Sequence, residues 1–72
     1  MKKPICEIDK LGNKTYWRND RLHREDGPAV EYADGEKGWW LNGKLHREDG
    51  PAIHSVNGLK AWWIYGDHQK TE

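Results

Sequence analysis

The sequence predicts an all-β protein: about three consecutive β-hairpin repeats joined into one antiparallel, six-stranded meander sheet. Three observations carry this reading. The block Leu22-His23-Arg24-Glu25-Asp26-Gly27-Pro28-Ala29 returns unchanged as Leu45 to Ala52, 23 residues later. Short runs of β-formers are separated by the turn dipeptides Asp34-Gly35, Asn42-Gly43 and Asn57-Gly58, whose residues favour the positive φ of tight hairpins. No stretch long enough for a helix repeats its apolar residues with a helical period.

The elements follow in order when the repeat is used as a ruler. Pro4-Ile5-Cys6-Glu7-Ile8 aligns, shifted by one residue, with Pro28-Ala29-Val30-Glu31-Tyr32 and forms the first strand. Gly12, Gly35 and Gly58 form a column of turn glycines, each a few residues before an aromatic pair. The pairs make two further columns, Tyr16/Trp39/Trp62 and Trp17/Trp40/Trp63, and form the second strand of each unit. Arg18-Asn19-Asp20, Leu41-Asn42-Gly43 and Ile64-Tyr65-Gly66 then end the units. The chain reads as one small domain, 1–72, with units at about 4–23, 24–46 and 47–66. At 67–72 Asp67-His68-Gln69-Lys70 replaces the eight-residue block, so this segment is read as a cap.

Strand side chains alternate between faces. One face is expected to carry Cys6/Val30/Ile53 and Ile8/Tyr32/Ser55. The two aromatic ladders must then point to opposite faces, with Leu41 and Ile64 on the side of Trp39 and Trp62. Five tryptophans, three tyrosines and no phenylalanine imply that aromatic rings replace an aliphatic core, each able to bury about 150–250 Å². One ladder is expected to be core, and the other to lie over small residues such as Gly38 and Ala61.

Composition narrows the function. Twelve basic and twelve acidic residues cancel, which argues against nucleic acid or anionic lipid as a general partner. The high charge and the mean hydropathy of −1.15 point toward disorder, but five tryptophans and three tyrosines argue the other way. A single cysteine, Cys6, forms no internal disulfide and suits a reduced cytoplasmic setting. No apolar run could span a membrane, and Met1-Lys2-Lys3-Pro4 is too short for a targeting segment. Lys2-Lys3, Lys10 and Lys14 read as a solvated basic face. His23, His46, His54 and His68 are too scattered to form a local ligand set, so neither metal nor cofactor is expected.

The repeated block contains an acid, a base and a cation, but a duplicated catalytic site on a thin sheet has no cleft to exclude water. The structural reading is that the block joins successive hairpins. Asp26 and Asp49 would accept hydrogen bonds from turn amides. Arg24 and Arg47 would lie flat on a tryptophan face, and His23 and His46 would pair with open backbone groups. The binding candidates are therefore the aromatic rows and the residues that frame them: Trp17, Trp40, Trp63, Trp39 and Trp62 with Arg24, Arg47, His23 and His46. The last strand would offer a further docking edge.

Trp40-Leu41-Asn42-Gly43-Lys44-Leu45-His46 resembles the MORN repeat, whose pattern is an aromatic, then Asn-Gly-Lys, then His on the same period. Trp17 to His23 is a weaker copy, with Asp20 at the glycine position. Arg-Glu-Asp-Gly-Pro-Ala after the His departs from that family and is similar to a variant repeat of small bacterial, phage and giant-virus proteins. The resemblance implies an all-β hairpin array used for interaction rather than catalysis. The expectation is a non-enzymatic protein-interaction module that binds a larger enzyme or complex, or forms a homodimer. Family analogy implies a small phage or prophage protein that binds and inhibits a host defence enzyme or complex, in the cytoplasm, the host's if the chain is phage-encoded. The alternative is a small-ligand or nucleotide binder, with tryptophan stacking and Arg24/Arg47 on a phosphate.

Gly43→Val is expected to destabilise the protein, because a β-branched residue resists positive φ. An unchanged melting temperature would remove the turn assigned to Asn42-Gly43.

Overall fold

The computed structural model describes residues 4–72; Lys2 and Lys3 of the basic start lie outside them. The described residues form ten strands and no helix: β1 (Ile5–Ile8), β2 (Lys14–Arg18), β3 (Arg21–Leu22), β4 (Val30–Glu31), β5 (Lys37–Gly38), β6 (Trp40–Leu41), β7 (Lys44–Leu45), β8 (Ile53–His54), β9 (Lys60–Ile64) and β10 (Asp67–Thr71). The main sheet runs β1-β2-β4-β5-β8-β9-β10, with β3 paired to β2 off this path and β6-β7 as a separate ladder. Every pairing is antiparallel. The chain is an all-β antiparallel meander.

The strands are more numerous and shorter than six because each unit makes two hairpins. The first is the glycine turn at one end of the sheet (Leu11-Gly12, Asp34-Gly35 and Asn57-Gly58), where the glycines have φ of 89°, 100° and 89°. In the first of these turns Asp9 Oδ1 accepts the N–H groups of Leu11 and Asn13 at 2.9 Å each. Hydrogen bonds from the Asn13 side chain and backbone hold the Asp9 carboxyl below its ordinary value. The second hairpin lies at the other end, at Asn19-Asp20, Asn42-Gly43 and Tyr65-Gly66. All six of those residues have positive φ, the geometry that matches strand twist in a two-residue loop. Each second turn returns a short strand: β3, β7 and the start of β10.

After β3 and β7 the chain leaves the sheet through the repeated block and re-enters as β4 and β8. After β10 begins, no block follows. The strand bulges between His68 and Lys70 and continues along β9. This places the last strand at the edge with a bulge and charged side chains, features that discourage further pairing. The docking edge expected at the last strand is therefore the blunted one.

Extending the register through the main sheet sets Tyr16, Ala29, Trp39, Ala52 and Trp62 side by side on one face. Thr15 is opposite Val30, Val30 opposite Gly38, Gly38 opposite Ile53, and Ile53 opposite Ala61. The neighbouring row therefore alternates aromatic and alanine. Backbone bonds confirm the spacing: Tyr16 N–H donates to Ala29 O at 2.8 Å and Trp39 N–H to Ala52 O at 2.7 Å. Ala29 and Ala52 are 0 % exposed, each a methyl between two rings.

Two expectations about faces change. Cys6 is opposite Tyr16, and Ile5 opposite Trp17, so Cys6 lies on the Tyr16 face and Ile5 and Glu7 on the Val30/Ile53 face. The first strand therefore keeps the 23-residue register, with Glu7 opposite Thr15 as Val30 is opposite Gly38 and Ile53 opposite Ala61, and the one-residue shift used to align Cys6 with Val30 and Ile8 with Tyr32 is not followed by the pairing. The Tyr16 hydroxyl meets the Cys6 side chain, and that hydrogen bond, with partial burial, raises it above its ordinary value. Neither aromatic ladder is core: all five tryptophans and Tyr16 are half-buried. The buried positions are mostly small, namely Ala29, Val30, Gly38, Ala52 and Ala61, together with His23 and His46. Trp40 does lie over Gly38, where an added Cβ would meet its Nε1 at 3.0 Å.

The molecule measures 31 × 28 × 16 Å, one sheet thick. Its accessible surface of 5187 Å² exceeds the roughly 4,700 Å² of a compact protein of this mass. No helix among the described residues is long and apolar enough to cross a membrane.

Ala52→Val is expected to lower stability by about 1–3 kcal/mol by overpacking the row between Trp39 and Trp62. Urea unfolding followed by tryptophan fluorescence measures this.

Candidate functional site

The repeated block folds around its arginine. The Arg24 guanidinium stacks on the Tyr16 ring, with Cζ 4.1 Å from the centroid. Its Nε donates to Asp26 Oδ1 at 3.0 Å and its Nη1 to the Pro28 carbonyl at 3.1 Å. The second copy repeats this. Arg47 lies 4.0 Å from the Trp39 centroid and donates to Asp49 Oδ1 at 3.1 Å and Pro51 O at 3.2 Å. Gly27 and Gly50 close the loop: an added Cβ would sit 3.0 and 2.8 Å from the arginine Cζ. Arg24 and Arg47 thus stack on aromatic rings as expected, with Tyr16 rather than a tryptophan under Arg24. Asp26 and Asp49 face these guanidiniums instead of the turn amides expected of them, because the arginine fork fills the inside of the loop.

The histidines join one unit to the next. His23 and His46 are 2 % and 7 % exposed. Nδ1 of His23 accepts the Asn42 N–H at 3.0 Å, and Nδ1 of His46 accepts the Tyr65 N–H at 3.0 Å. A ring nitrogen that accepts carries no proton, so each imidazole is the neutral Nε2–H form. That Nε2 faces Glu25 Oε1 at 3.3 Å and Glu48 Oε1 at 3.4 Å. The acceptor nitrogen of each ring is already occupied, so neither histidine can take a proton from a bound molecule without releasing the next unit. Backbone bonds strengthen the joint. Gly43 N–H donates to Leu22 O, and Gly66 N–H to Leu45 O, at 2.8 Å each.

Between the two blocks lies an open groove of about 670 Å³. Trp39, Leu41, His46 and Tyr65 form its floor with Arg24 and Arg47, and Glu25, Asp26, Glu48 and Asp49 its rim. Those carboxylate side chains are 65–87 % exposed. A second groove of about 350 Å³, one repeat earlier, contains Tyr16, His23 and Arg24. Of the residues singled out in the sequence, the structure gathers Trp39, Arg24, Arg47 and His46 in the larger groove, and His23 with Arg24 in the smaller. Trp62 lies outside both, with Lys70 Nζ 4.5 Å over its ring. Trp17, Trp40 and Trp63 are on the opposite face. There Trp40 shares a small hollow with Leu22, Val30, Leu45 and Ile53, and Trp63 meets His68 edge-on at 5.0 Å.

Two groups escaped sequence reasoning. The first is the acidic rim, read from sequence only as loop chemistry. The second is Tyr65, which occupies the column of Asn19 and Asn42 at φ 45°. Asparagine accommodates that conformation, whereas a bulky aromatic there is strained. The Tyr65 ring stacks on His46, with centroids 4.0 Å apart, and is 59 % exposed. A tyrosine in an asparagine column was the visible signal.

Searches of protein-family models, curated proteins and solved structures found no match to this chain. Function is therefore argued from geometry.

His46→Leu is expected to cost about 1–3 kcal/mol, because it leaves the Tyr65 N–H without an acceptor. His46→Asn, whose Oδ1 can stand where Nδ1 does, should recover part of that loss in the same denaturation assay.

Proposed function

We propose that this chain is a non-enzymatic protein-interaction module, a MORN-like hairpin array that docks a basic surface of a larger protein through the groove face. One observation carries the reading. The groove's arginines and histidines are held within the fold, whereas the four carboxylates that touch them keep 65–87 % of their side-chain surface exposed, beside half-buried Trp39 and exposed Tyr65. Four exposed carboxylates face two guanidiniums that are already paired. A rim of this sign attracts and orients Lys- or Arg-bearing partners and repels acidic ones. Trp39 and Tyr65 supply the aromatic anchors around which interface energy concentrates. The 31 × 28 Å face has room for a standard interface of about 800 Å² per partner. Occupying such a surface on an enzyme is how a small inhibitor would act.

The groove volume would also admit a small ligand. A nucleotide phosphate, however, would meet four carboxylates and no free guanidinium, which weighs against the nucleotide reading.

Glu25→Gln/Glu48→Gln keeps an acceptor for each histidine Nε2–H and removes two rim charges. Tyr65→Asn exchanges about 1–2 kcal/mol of backbone strain for a lost ring stack of about 0.5–1.5 kcal/mol, leaving stability nearly unchanged. Both variants are expected to keep the wild-type melting temperature and to weaken a stoichiometric partner isolated with the wild type, by about tenfold or more. Undiminished partner binding by both would remove the groove from the interface. Tight calorimetric binding of a nucleotide would replace the reading.

A further inference from the structure

The two edges of the main sheet are built differently. β10 carries Asp67, His68 and Lys70 and a register shift, whereas β1 ends the sheet with a regular strand whose residues are all exposed. Ile5 is 70 % exposed, Ile8 62 % and Leu11, in the turn that follows, 76 %. A regular apolar edge of this kind is a template for another strand.

The direction of the backbone groups can be worked out. Tyr16 N–H donates to Ala29 O, and Tyr16 O accepts from His23 N–H, so both point away from β1. Cys6, opposite Tyr16, is therefore in a non-hydrogen-bonded pair, and its own N–H and C=O point out of the sheet. Ile8, two residues on and opposite Lys14, points the same way. Asp9, opposite Asn13, instead accepts no such role, since its N–H donates inward to Asn13 O at 3.1 Å.

We propose that two copies of this chain associate edge to edge through antiparallel β1–β1 pairing centred on Cys6. A two-fold axis normal to a continuous sheet brings together residues of the same face, so the strand can centre on Cys6 or on Glu7 but not between them. Centring on Glu7 sets two carboxylates directly opposite each other and Ile5 opposite Asp9. Centring on Cys6 pairs Ile5 with Glu7 of the second copy and Pro4 with Ile8, with no like charges opposed. Cys6 then exchanges N–H···O=C bonds with Cys6 of the second copy. Each Ile8 N–H reaches the opposing Pro4 carbonyl, which gives about four backbone bonds. The assembly is isologous and closes. Its two remaining edges are both β10, the edge already blunted by charge and a bulge. The larger groove stays free, so the proposal stands or falls apart from the partner reading.

Sedimentation equilibrium on the full chain tests it, with a short bis-maleimide crosslinker as the second readout. The expected result is a mass twice 8.5 kDa in the micromolar range, with the two Cys6 thiols linked in high yield. Ile8→Lys, at an exposed position, should keep the β-sheet spectrum, sediment as a monomer and lose the crosslink. Cys6→Pro should do the same to the mass, because the N–H it removes points outward. A wild-type monomer at millimolar concentration, or a dimer unchanged in folded Ile8→Lys, overturns the proposal.

Discussion

A buried imidazole that accepts a backbone N–H from the following unit is the interaction on which the rest of this structure depends. The second turns lie together at one end of the sheet, the β6-β7 hairpin as a ladder of its own, and no aliphatic layer covers them. His23 and His46 tie the Asn42 and Tyr65 amides to the preceding block. Each such bond contributes roughly 1 kcal/mol net, but breaking one leaves a buried donor unpaired at about 1–3 kcal/mol. For a domain whose core supplies only about 3–5 kcal/mol, two such joints are a large share. The arginine stacked on its aromatic ring holds the same block from the other side. The contacts recur with the block: each histidine holds a backbone amide of the next unit, and each arginine lies on an aromatic ring and pairs with an aspartate.

The second constraint is size. One row of the sheet alternates rings with alanine, and on the other face Trp40 lies over Gly38, so the tryptophans cover small residues instead of meeting in a layer. The result is a slab 16 Å thick in which every tryptophan keeps part of its surface exposed. Stability and binding surface thus come from the same rings. The structural use of Arg24, Arg47, His23 and His46 leaves the exposed carboxylates and Tyr65 as the groups a partner would meet first.

Much of the fold was legible because period and turn chemistry are local. Gly35 and Gly58 before the aromatic pairs, and Asn42-Gly43 after one, mark both ends of each hairpin without reference to anything distant. The joint roles of His23, His46, Arg24 and Arg47 were legible as a class of contact, since a duplicated set on a thin sheet favours architecture over catalysis. Less legible were the partners of Asp26 and Asp49. A carboxylate beside Gly-Pro can serve turn amides or an arginine two residues earlier, and only the closed loop decides. The groove could not be read either, because its floor combines Trp39, His46 and Tyr65 with a block from the preceding unit.

The sequence by itself determined the repeat, the all-β class, the turn positions and the division of the two ladders between opposite faces. These follow from the two-residue alternation of a strand and from the backbone preferences of glycine and asparagine. Only the tertiary structure decided that neither ladder is core, that the first strand keeps the 23-residue register without a shift, and that β1 rather than β10 is the open edge. Those outcomes depend on how strands register across the sheet and where a bulge falls. Pairing energies between residues far apart in the chain set both, and no local pattern records them.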